Sequence, residues 1–196
     1  MKQRSRSTKP ARRGTEGPAR AAGVAIVVSR YNESITSRLR DGAVRAFTER
    51  GGSTADLAIF DAPGSFDLTA ICDAAASSGR FAGIVALGCI IKGDTSHDQH
   101  IASAVVHGLT NITILTGVPI ALGVLTVNTA QQARERAGVG GGGGKHGNKG
   151  AEAMNALLLT LAEIDRVRNH VAAARVTGHV LPDKGAPRSI THRGGR

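Results

Sequence analysis

Aromatic residues are scarce in this chain of 196 residues: four Phe, one Tyr and no Trp, 3% in all. A core built without them is aliphatic, and a row of rings for stacking many bases of a polymer is excluded. Cysteine is rarer still. Cys72 and Cys89 are too few for a disulfide framework and each stands in an apolar context, so reduced thiols in the core of a soluble, cytoplasmic protein are expected. No apolar run approaches the ~18 residues that span a bilayer, and no secretory apolar segment is expected.

The formal net charge of +10 first suggests a polyanionic partner, but its distribution decides. Residues 1–22 carry seven Lys or Arg against Glu16, and residues 169–196 carry five against Asp183. The body between them, 23–168, balances thirteen basic groups with thirteen acidic ones. Both ends are rich in Gly, Pro, Arg and small residues without apolar periodicity, which predicts disordered basic tails flanking one domain. Nucleic acid binding is expected to be weak and confined to those tails, with no membrane association.

Within the body, strand-length apolar runs alternate with helical patterns. "GVAIVVS" (23–29) reads as a strand buried on both faces. "ESITSRLRDGAVRAFTERG" then places Ile35, Leu39, Val44 and Phe47 at helical spacing and closes on Gly51 and Gly52. "TADLAIFDAPG", "FAGIVALGCII" and "VPIALGVLTV" contain three more strands; the segments opening "SFDLTAIC", "TSHDQHIA", "TAQQARER" and "GNKGAEAM" read as helices. The alternation predicts four buried parallel strands joined by right-handed crossovers, with helices on both faces.

Ligands of such a sheet collect beyond the carboxyl ends of its strands. There stand Arg30-Tyr31-Asn32, "APGSFD", "KGDTSH" and "NT", with "ERAG" one helix later. Small hydroxylated residues, the sole tyrosine, a histidine and cationic groups suit a small molecule bearing phosphate. "KGDTSH" lies where first-turn amides of a helix bind anions, with Thr95 and Ser96 as further hydroxyl donors or as helix caps. His97 in that turn is a side chain able to carry protons. Zinc is disfavoured, because ten residues of helix rotate His107 about 80° from His97, with His100 between them. The run "GVGGGGGKHGNKG" (138–150) is no phosphate loop: Val139 stands where GxxxxGK[ST] needs glycine, and His146 where it needs a hydroxyl. It reads as a flexible linker between helices.

Five blocks, "SRYNESIT", "DAPGSFDL", "ALGCIIKGDTSH", "TGVPIALGVLTVNTAQQARERAG" and "GNKGAEAMNALL", resemble the lumazine synthase family in its own order, from about residue 23 to 165. The resemblance implies a flavodoxin-like three-layer sandwich on a four-stranded parallel sheet, with active sites between adjacent subunits of a pentamer. It also implies the reaction: condensation of 5-amino-6-(ribitylamino)pyrimidinedione with 3,4-dihydroxy-2-butanone 4-phosphate to give 6,7-dimethyl-8-ribityllumazine, without cofactor or metal. On this resemblance Tyr31 stacks on the pyrimidine, with Asn32 beside it. Ser65, Phe66 and Asp67 position the ribityl chain, and Cys89, Ile90 and Ile91 line the pyrimidine. Asp94 and Thr95 contact phosphate, His97 transfers protons, and Arg136 binds phosphate from the neighbouring subunit with Lys149 close by.

The chain also departs from the family pattern. Asp98, Gln99 and His100 stand where an aromatic, an acidic residue and a second aromatic are usual; Asp67 replaces a glutamate, and Leu122 a frequent phenylalanine. Between Gly138 and Lys145 about five residues exceed the compact pattern "RAGTKAGNKG". Relatives with such insertions tend to remain pentamers, so a free pentamer is expected rather than a shell of sixty copies. Two other classes share parts of this pattern: a flavin-binding module of flavodoxin type, and a basic-tailed assembly or RNA-binding protein.

Overall fold

The computed structural model describes residues 23–138 and 147–176, so the expected tails at 1–22 and beyond 176, and the interior of the glycine-rich linker, lie outside the described residues. Strands β1 (Gly23–Ser29), β2 (Leu57–Ala62), β3 (Phe81–Ile91) and β4 (Ile120–Val127) form one parallel sheet in the order β2-β1-β3-β4. Helices α1 (Glu33–Glu49), α2 (Leu68–Ser77), α3 (His97–Thr116), α4 (Ala130–Arg136) and α5 (Lys149–Val176) connect and cover it.

The chain leaves β1 toward β2, then crosses back over β1 to β3 and continues outward to β4. Crossovers of one hand running in opposite directions put their helices on opposite faces. Ile35, Leu39, Ala43 and Phe47 of α1 accordingly pack with Met154 and Leu157 of α5 against Val24, Ile26, Val85 and Leu87. Leu68 and Cys72 of α2 and Val105 and Leu109 of α3 cover Ala25, Val27, Ile84 and Ala86 on the other face. Alternation along β1 and β3 thus divides one apolar run between two cores.

Two expectations change. Only β1 and β3 are buried along nearly their whole length; β2 and β4 are edges, with Ile59, Phe60 and Leu122 exposed, because in this order each has a neighbour on one side only. The last helix also runs past the expected end of the body at 168, to Val176, since "NHVAAARV" contains good helix formers and no glycine or proline until Gly178.

The "GNKG" block is a joint. Asn148 caps α5, its Oδ1 accepting from the amides of Gly150 (2.9 Å) and Ala151 (3.1 Å), while its Nδ2 donates to the carbonyls of Arg38 and Ala137, both at 2.9 Å. Gly42 and Gly150 let α1 approach: a Cβ on Gly42 would strike the Asn148 amide, and one on Gly150 the Leu39 carbonyl. Ala137 and Asn148 also pair as an antiparallel bridge, which pins the two ends of the linker together.

Candidate functional site

The reversal of direction between β1 and β3 leaves a crevice beyond their carboxyl ends, and a cavity of about 470 Å³ lies there. Its volume suits one small-molecule ligand. Tyr31 and Asn32 reach it from the end of β1, Gly64, Ser65 and Phe66 from the turn after β2, and Cys89 to Gly93 from the end of β3. Thr95, His97, Asp98 and Ile101 come from the start of α3. Strand ends and a helix start supply these groups because the parallel sheet delivers every β-to-α turn to the same edge.

Several contacts fix the frame. Asn32 is left-handed at φ 61°, which asparagine tolerates better than most residues, and its Nδ2 donates to the Cys89 carbonyl at 3.0 Å. The side-chain amide therefore ties the exit of β1 to the end of β3. Ser65 is buried behind Gly88, whose missing Cβ would lie 2.8 Å from Ser65 Oγ. Tyr31 and Phe66 are exposed at 71% and 59%, so two ring faces remain open to a ligand.

At the start of α3, Ser96 occupies the cap position but makes no capping hydrogen bond, and the His97 amide reaches only a long 3.5 Å contact with Thr95 Oγ1. The Gln99 amide already donates to the Ser96 carbonyl at 3.1 Å, which leaves the amides of His97 and Asp98 to meet an anion beside the exposed His97 ring. Cys89 is different. Burial pushes its thiol up to about 11, and that of Cys72 to about 12, so both stay protonated at neutral pH and neither is a ready nucleophile.

Of the residues expected from sequence, Tyr31, Asn32, Ser65, Phe66, Cys89, Ile90, Ile91, Thr95 and His97 meet in this cavity. Asp67 and Asp94 flank it without lining it; Asp67 Oδ2 instead accepts the Gly64 amide at 2.9 Å. Leu122 and Lys149 border a separate groove between β4 and α5, where Lys149 pairs with Glu152 at 2.6 Å. Arg136 ends α4, its guanidinium donating to the Gln132 carbonyl at 3.3 Å, and lines neither space. Within one chain the expected site is therefore divided. Lys92, Asp98 and Ile101 line the cavity without having been singled out for it; Ile101, one helical turn after His97, was accessible to a periodicity argument.

No helix among the described residues is long and apolar enough to cross a membrane. Residues 21–165 match the family model for 6,7-dimethyl-8-ribityllumazine synthase. A protein of that name from Deinococcus radiodurans is 42% identical over 145 residues, 72% of this chain and 90% of that protein. The one from Syntrophus aciditrophicus is 43% identical over 156 residues, covering 79% and 96%. That from Nitratidesulfovibrio vulgaris is 38% identical over 154 residues, covering 78% and 96%.

Proposed function

The chain belongs to the 6,7-dimethyl-8-ribityllumazine synthase family, and from that premise we propose that its reaction takes place in the cavity beyond β1 and β3. The reaction is the condensation of 5-amino-6-(ribitylamino)pyrimidinedione with 3,4-dihydroxy-2-butanone 4-phosphate, a transferase step of riboflavin biosynthesis. The products are 6,7-dimethyl-8-ribityllumazine, phosphate and two waters. The observation that carries this location is the convergence of Tyr31, Ser65, Thr95 and His97 on one space.

The 5-amino group attacks the ketone and forms a Schiff base with loss of water. Phosphate then leaves, and tautomerisation, attack of the ribitylamino nitrogen on the remaining carbonyl and loss of a second water complete the ring. Each step moves protons, which is the role of His97. Tyr31 stacks on the pyrimidine, Ser65 and Phe66 hold the ribityl chain, and the strand end Cys89 to Ile91 lies along the ring. Thr95 and the α3 amides receive phosphate, and holding two substrates together supplies much of the acceleration.

Arg136, Lys149 and Leu122 enter through a second copy of the chain. The division of the site supports this, as do the apolar residues left exposed along both sheet edges and at the end of α3, among them Ile59, Phe60, Leu122, Ile114 and Leu115. A guanidinium brought in by a neighbour grips the phosphate oxygens as their charge develops. The assembly is a homopentamer, and the glycine-rich insertion favours the free pentamer. Two free, buried cysteines suit a reducing cytoplasm.

Mixing the two substrates with the protein and following lumazine fluorescence tests the reaction. Unfolding His97→Ala and Arg136→Ala together and refolding them as mixed assemblies tests the shared site. In a ring with sites between neighbours, about a quarter of the sites in an equal mixture regain both native residues. No recovery over the separate variants, in assemblies shown to be mixed, would place the site within one chain.

A further inference from the structure

Among the described residues, two buried polar side-chain atoms have no hydrogen-bond partner, Ser29 Oγ and Asp98 Oδ1. Ser29 ends β1 and does not line the cavity; Asp98 does. An ionised carboxylate can only accept, and a buried oxygen without a donor is the exception in folded proteins. Its place in the first turn of α3 is electrostatically favourable, yet the residue makes no cap that would occupy the oxygen. His97, Asp98 and Ile101 together present one end of that helix to the cavity.

We infer that Asp98 is a substrate-binding residue, the acceptor for N–H groups of the pyrimidine substrate; this rests on the function proposed above. Charge assigns the partner. A carboxylate repels a phosphate dianion, whereas the pyrimidinedione offers ring N–H groups, a 5-amino group and the N–H of its ribitylamino substituent. The phosphate is left to Thr95 and the helix amides. Tyr31 shares the cavity and gives the same heterocycle a ring face, so stacking and a charged acceptor act on one ligand. Rotation of an aspartate about χ2 is soft, and the enclosed oxygen can turn to a donor that arrives with the substrate.

The test is steady-state kinetics of the full-length enzyme with each substrate varied in turn, for Asp98→Leu and Asp98→Asn. Asp98→Leu is expected to raise KM for the pyrimidine about tenfold, as loss of a hydrogen bond to a charged group does, with KM for the phosphate substrate unchanged. Asp98→Asn, which is isosteric and keeps one carbonyl acceptor, falls between, and carries the test alone if the leucine variant does not fold. Thermal unfolding is measured beside each. A purely structural role predicts that both KM values rise together with a lowered Tm, and that pattern overturns the inference. So does an unchanged pyrimidine KM in an enzyme whose native form makes lumazine. A native protein that makes none removes the underlying reading, and this inference with it.

Discussion

Replacing Asn148 with alanine removes two interactions of different kinds at once. The helix cap to Gly150 and Ala151 contributes about 1 kcal/mol, and each donated bond, to Arg38 and to Ala137, about another 1 kcal/mol. The loss expected for Asn148→Ala is therefore about 3 kcal/mol, or about 6–12 °C in Tm for a domain of this size. Urea and thermal unfolding at one fixed protein concentration measure it. Asn148→Asp separates the two kinds: it keeps a capping oxygen but turns the donating nitrogen into a second oxygen facing two carbonyls. If the amide joins α1, α4 and α5, the aspartate variant is nearly as unstable as the alanine one. An aspartate variant as stable as the native protein would reduce Asn148 to a cap and refute the joint.

His97→Ala is expected to lower kcat by about a hundredfold while leaving both KM values close to native, the signature of a lost proton carrier, checked by steady-state fluorescence. Gly88→Ala places a methyl 2.8 Å from Ser65 Oγ at the back of the cavity and 3.2 Å from the buried Leu68 Cδ1; kcat/KM should fall about tenfold with a lowered Tm, and unchanged kinetics would show that Ser65 yields freely. Above pH 9 an unfolded chain releases its thiol protons, while the folded chain keeps them to about 11 at Cys89 and about 12 at Cys72. The unfolded state then binds fewer protons, so stability is unaffected by these groups below pH 9 and falls as pH rises through that window. Urea midpoints at pH 8, 9 and 10 should show the fall, and Cys72→Ala should make it shallower.

Much of the fold was legible because its signals are local. β1 and β3 have the bounds their β-branched runs predict, and Gly79 and Gly117 take the positive φ that a helix end or turn requires. Most of the candidate cavity was legible for a related reason: a parallel sheet sends every strand-to-helix turn to one edge, so residues distant in sequence could be collected by rule. Asp98 was not legible, since whether a carboxylate in a first helical turn faces solvent or a cavity depends on how the helix is rotated. The edge strands were not legible either. Ile120–Val127 carries no charge and Leu57–Ala62 only Asp61, and nothing within six or eight residues records the order of strands in a sheet.

That misreading and the division of the site have a common explanation in the proposed assembly. An edge strand facing water is usually blunted with charge, proline or a bulge, yet Ile59, Phe60 and Leu122 stay exposed on these edges. Leu122 borders the groove that also holds Lys149, away from the cavity containing His97. If another copy covers those edges, the strands are interior after all and their composition is that of a core. The same contact can then bring Arg136 of one copy toward Thr95 and His97 of the next. Alanine at Ile59 and Leu122 should accordingly dissociate the assembly and lower activity together, whereas full activity in a dissociated monomer would separate the two.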